Sequence, residues 1–122
     1  TAFSPTSGIG LSIVRVRVPV DSTEFNQAKS TIDACKSYGG FAIASVWNAP
    51  AYMKTNDSTI GGTIKPTSYA DFAAHMKAFN TASGGLVAIS PTNEPNISVT
   101  YESMQMAASQ VADFVAAEGD SC

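Results

Sequence analysis

Basic residues are few. Seven lysines and arginines stand against ten acidic residues, a formal net charge of -3 at pH 7, and they form no basic cluster. That balance speaks against nucleic acid and against an anionic membrane surface as partners. Histidine occurs once, at His75, and neither Cys35 nor Cys122 has a partner at ligand spacing, so no structural metal is expected. No cofactor is expected either. No apolar run approaches the unbroken length that crosses a bilayer. The chain begins at Thr1 without a charged-then-apolar leader, so its N-terminus reads as processed or excised. An even cysteine count in a lysine-poor chain is compatible with a secreted protein. A Cys35 to Cys122 disulfide is one reading of the pair. The other is a small buried hydrophobe at Cys35 and a frayed thiol at Cys122.

What the chain does have is apolar residues, 44% of 122, enough for one domain with a sizeable core. Their periodicity alternates between strand and helix three times. Leu11 to Val18 reads as a strand, and Pro19 with Asp21 and Ser22 turns the chain into a helix whose stripe is Phe25, Ala28, Ile32 and Cys35. Gly39-Gly40 ends that helix. Phe41 to Trp47 is a second strand, followed by a polar loop from Asn48 to Pro66. The second helix opens at Thr67 or Ser68, with Asp71 placed as in a capping box, and its stripe is Tyr69, Phe72, Met76 and Phe79. After Gly84-Gly85 a third strand starts at Leu86, and a third helix runs from about Tyr101 to Ala117 on Met104, Ala108, Val111 and Val115. Three successive strand-helix units predict an α/β fold with three parallel strands and right-handed crossovers, either an interior segment of a (β/α) barrel or a small doubly wound sheet. The loops after the strands are long and polar, while the opposite turns are glycine pairs, so the chemistry is expected at the carboxyl ends of the strands.

The third strand, Leu86 to Ser90, reads as buried on both faces and stops at Pro91-Thr92-Asn93-Glu94-Pro95. A carboxyl group there, beside an amide and shielded by the sheet, suits a general acid/base, which makes Glu94 the candidate. The plain alternative is a turn with Glu94 solvated. Arg15 and Arg17 alternate onto one face of the first strand, and two cations pointing into a small barrel need carboxylate partners. Arg17 reads as a solvated edge charge and His75 as a surface residue on a helix flank. Trp47 is either a platform for the C–H face of a pyranose or a core aromatic.

Four segments resemble glycoside hydrolase family 30, retaining glycosidases built on a (β/α)8 barrel. They are Gly8 to Arg17, Ala44 to Asn56, Ile89 to Pro95, and Thr100-Tyr101-Glu102-Ser103, in family order. The resemblance implies a partial TIM-barrel-like unit, residues 1–122 forming a single domain that is a fragment of such a barrel. It covers the second to fourth strand-helix units. It further implies that Glu94 is the acid/base, that Asn93 binds the sugar 2-hydroxyl and that Arg15 orients the nucleophile. Trp47, Tyr52, Lys54 and Asn56 are implied to bind substrate, with Tyr52 standing where a tryptophan is usual. Pro91 and Thr92 depart from the family pattern. The nucleophilic glutamate of the family's seventh strand has no counterpart here, and Asp21, Asp57 and Glu102 are the loop carboxylates that could face the same end as Glu94. Asn56-Asp57-Ser58 and Asn96-Ile97-Ser98 match the glycosylation acceptor pattern.

Two functions follow as expectations. One is a secreted retaining endo-β-glycanase, or its acid/base-bearing fragment, acting on a polysaccharide or oligosaccharide, xylan foremost. The other is a non-catalytic carbohydrate-binding or self-assembling α/β domain lacking the nucleophile. Three parallel strands leave two open edges, so a homo-oligomer or the remainder of a barrel is the expected partner.

Overall fold

The computed structural model describes residues 2–122. Its elements run β1 (Ile13–Val18), α1 (Lys29–Ser37), β2 (Phe41–Val46), α2 (Tyr69–Ala82), β3 (Ala88–Ser90) and α3 (Ala108–Glu118), with short 3-10 turns between. The strands form one parallel sheet in the order β1-β2-β3, with Arg17 opposite Ser45 and Ser45 opposite Ser90. This is the expected α/β fold, a partial (β/α)-barrel-like unit of three parallel strands and three helices.

Strand alternation divides the labour between the two sheet faces. Val16, Val18, Ala44, Val46 and Ile89 join Phe72, Met76, Phe79 and Phe114 in the core beneath the helices. Phe72 and Phe79 are fully buried, a gain of up to ~3 kcal/mol each against water. The other face presents Ile13, Arg15, Arg17, Phe41, Ile43 and Ser45, and there Ile13 and Phe41 are 49% and 41% exposed. No second layer lies on it among the described residues. For that reason β3 is not buried on both faces as its composition suggested: Ala88 and Ser90 are exposed and only Ile89 turns inward.

The helices start later than periodicity suggests. Phe25 is buried but belongs to a turn, and α1 begins only at Lys29. The segment 101–107 is irregular, and α3 begins at Ala108. Its buried aromatic is Phe114, whereas Val115, expected in the stripe, is 51% exposed. Met104 and Met106 still fill the core from outside the helix. Ser68 makes no capping bond to α2, because Pro66–Ser68 forms a 3-10 turn that leads straight into it, so the expected capping box is absent. His75 lies at the surface as expected, but half-buried and engaged. Its Nε2 lies 2.9 Å from the Pro19 carbonyl oxygen, and its ring packs edge-on against Phe25.

At the amino end of the sheet the turns are tight. A Cβ on Gly40 would fall 2.6 Å from Cys35 Sγ and 2.7 Å from the Ser12 carbonyl oxygen, so only glycine fits between α1 and β2. Lys36 Nζ donates to the carbonyls of Gly84 and Gly85, tying α1 to the turn before β3. Cys35 and Cys122 are both free thiols; Cys35 is the buried hydrophobe of the second reading, whereas Cys122 is not frayed but packs against the core, its Sγ donating to the Glu118 carbonyl at 3.5 Å.

Candidate active site

Three chain segments leave the carboxyl ends of the strands and meet over them. Ser90 Oγ donates to the Thr92 carbonyl oxygen at 2.8 Å and folds the Pro91-Thr92 step into a tight turn. Asn93 then faces β1, where Arg15 Nη2 donates to Asn93 Oδ1 at 2.5 Å. Glu94 follows with φ of 48°, a left-handed conformation that a branched-out side chain adopts only at a cost of about 1 kcal/mol or more. Its carbonyl is fixed by the Ile97 amide at 3.1 Å.

Glu94, Asn93, Trp47, Tyr101, Glu102 and Met104 line a cleft of about 30 Å³. The site therefore brings together three of the expected residues, with Arg15 reaching it through Asn93. The apolar shield expected around Glu94 is not there: its side chain is exposed, because the inner sheet face beside it is open. Trp47 is 41% exposed and sits immediately after β2, so it is a rim aromatic and not a core one.

Tyr52 is 63% exposed and lies elsewhere, in a groove with Asp21, Pro50 and His75. Lys54 does not face substrate at all. It is fully buried, donating to Asn48 Oδ1 at 2.7 Å and to the Ser103 carbonyl oxygen at 2.8 Å. Burial pushes its pKa down from 10.5 to about 8. Asn48, also buried, passes the connection on to the Thr59 carbonyl at 2.8 Å. Asn56 is exposed, but its amide is used within the loop, donating to the Ile60 carbonyl and accepting from the Ser58 amide. Burial thus takes Lys54 out of reach of a ligand and gives it a role in shaping the loop, while Asn56 braces the same loop from its exposed face.

Arg17 is likewise not a solvated edge charge. It forms an ion pair with Glu102, and its guanidinium carbon lies 5.6 Å from the centre of the Trp47 ring. Its Nε and the Oγ of Ser45, opposite it in the register, are buried without a partner on the open face. The sequence signal for this pair was the Tyr101-Glu102-Ser103 segment, whose partner lies across the rim and not along the chain.

The remaining loop carboxylates are committed. Asp21 accepts from the amide and hydroxyl of Thr23, which holds its carboxyl below the usual range. Asp57 pairs with Lys65 at 2.7 Å. With Glu102 on Arg17, all three loop carboxylates expected near that end have other partners. Among the described residues no group of histidine, cysteine and carboxylate side chains could hold a metal, and no helix is long and apolar enough to cross a membrane.

No protein-family model matches the chain. Solved structures do. A glycoside hydrolase family 30 subfamily 8 xylanase from Clostridium acetobutylicum superposes with a TM-score of 0.80 at 33% identity, covering 92% of this chain and 33% of that one. An endo-β1,6-glucanase matches with a TM-score of 0.77 at 22% identity, over 93% of this chain and 32% of its own. The catalytic domain of a family 30 xylanase C from Talaromyces cellulolyticus matches with a TM-score of 0.68 at 23% identity, over 96% and 37%. The chain spans about a third of the length of these structures. Its resemblance to glycoside hydrolase family 30 is therefore that of a segment of the barrel.

Proposed function

We propose that this chain is the acid/base-bearing segment of a secreted retaining endo-β-glycanase with xylan as its substrate. Glu94 donates a proton to the departing glycosidic oxygen and then, as carboxylate, takes one from the incoming water. Asn93 binds the sugar 2-hydroxyl, where a bond strengthens as charge develops at the anomeric carbon. Arg15 fixes that amide, and the Trp47 face carries the pyranose. The observation that carries this reading is the Arg15 to Asn93 bond, which aims the strained Asn93-Glu94 step into the cleft beside Trp47.

Retaining hydrolysis needs a second carboxylate about 5 Å from the first. Because Asp21, Asp57 and Glu102 are engaged, the nucleophile comes from outside these residues. The remainder of a barrel, laid on the face that exposes Ile13 and Phe41, supplies it. Residues 1–122 then act as one folded piece of that enzyme. The test compares reducing-sugar release from xylan by the polypeptide carrying this segment and by its Glu94→Gln variant. We expect a loss on the order of 10²- to 10⁴-fold, and a smaller one on aryl glycosides whose leaving groups need no proton. Equal rates on xylan would remove Glu94 from the mechanism.

The engaged carboxylates also favour a second reading for the chain by itself, carbohydrate binding without cleavage. Titration calorimetry with xylo-oligosaccharides that gives heat but no product would support it.

A further inference from the structure

We infer that Glu102 is a positioning residue, which holds Arg17 against Trp47 and thereby sets the face that the aromatic presents to a ligand. The inference rests on the reading of the cleft as a sugar site, and it names what fixes the platform in that site. Arg17 rises from the inner face of β1, Trp47 follows β2, and Glu102 reaches back from the segment between β3 and α3, 85 positions away in sequence from Arg17. Three separate segments thus converge on one indole.

The placement of Glu102 is enforced by its neighbour. Ser103 donates its amide to the Thr59 carbonyl at 3.1 Å and accepts from the Gly61 amide on its Oγ at 3.0 Å, while its carbonyl receives buried Lys54 at 2.8 Å. Position 102 therefore has little freedom, and its carboxylate meets Arg17 without ordering a long loop first. Arg17 in turn is held by one ion pair and one aromatic face, its Nε having no partner. Without the carboxylate, only the cation–π contact is left to keep the guanidinium over the ring. Both partners are 38% exposed, so the pair is accessible to salt.

Trp47 is the one tryptophan of the chain, so its fluorescence reads this arrangement directly. The experiment measures acrylamide quenching of Trp47 in the wild-type chain, in Glu102→Gln, in Arg17→Met and in the double variant, all below their unfolding transitions. We expect quenching to rise about twofold in each single variant and no further in the double, since both remove one interaction. In the wild type, molar salt raises quenching toward the Glu102→Gln level, whereas the variant does not respond. A residue that merely supports folding would lower the melting temperature and leave quenching of the folded chain unchanged, and that result overturns the inference. Should Glu102→Gln fail to fold, Glu102→Asp, which keeps the charge on a shorter arm, shows an intermediate rise if the inference holds and none if it does not. Xylo-oligosaccharide titration of the wild type runs beside these measurements. Absence of binding by the polypeptide carrying this segment as well sinks the sugar reading, while the quenching result decides the role of Glu102 without any sugar.

Discussion

Arg15 and Asn93 lie 78 positions apart in the sequence and 2.5 Å apart in the fold, Nη2 to Oδ1. This bond connects the first strand to the turn that carries Glu94, so the orientation of the amide depends on β1. Replacing Arg15 with methionine leaves an exposed site and should cost less than ~1 kcal/mol of stability. In the polypeptide carrying this segment, xylan hydrolysis should nevertheless fall on the order of 10²-fold, because the amide loses its aim. Reducing-sugar assays beside urea unfolding check both numbers. Lost stability with an unchanged rate would make Arg15 a folding residue only.

Lys54 gives a pH dependence with a definite sign. Its pKa is lowered to about 8 in the folded chain and is 10.5 when unfolded, so between those values the unfolded state holds more of this proton. Stability therefore rises with pH through that window, by at most ~1.4 kcal/mol per unit from this group, and is flat below it. Denaturant unfolding of wild type and Lys54→Met at pH 7 and pH 10 should show the difference between them growing in favour of the wild type. A constant difference would place the lysine in water.

Glu94 stands at φ of 48°, a conformation that asparagine tolerates far better. We expect Glu94→Asn to raise stability by about 0.5–1 kcal/mol while abolishing acid/base function. Thermal unfolding measures the first and xylan hydrolysis the second. A lower melting temperature would mean that the backbone there is relaxed.

Phe114 and Val115 test the phase of α3. Phe114 is 1% exposed and packs on Tyr69 and Phe72, so Phe114→Ala should cost about 3–5 kcal/mol. Val115 is 51% exposed, and Val115→Ala should change stability by less than ~0.5 kcal/mol. Urea midpoints of the two variants decide it; similar costs would mean that both side chains are buried.

The sheet was legible in the sequence because its periodicity is local. Val14, Val16 and Val18 alternate with Arg15 and Arg17, and the glycine pairs mark the turns without reference to anything distant. The start of α3 was less so, since Tyr101 to Ala107 carries helical spacing but spends its backbone on the loop after β2, as in the bonds of Ser103 to Thr59 and Gln105 to Gly62. The site divided in the same way. Glu94, Asn93 and Trp47 stand at strand ends and could be placed by counting. Lys54 could not, because a charged residue reads as exposed unless its acceptors are known, and Ser103 lies 49 positions away. Arg17 was misread for the same reason, its carboxylate lying across the rim.

Neighbouring residues of β1 serve opposite purposes: Val16 and Val18 close the core while Arg15 and Arg17 face the rim. A one-residue insertion or deletion in this strand would trade the two sets, sending guanidinium groups under the helices and valines toward the cleft. Stability and chemistry would then be lost together, so variation in this strand is confined to substitutions that keep its length and its alternation.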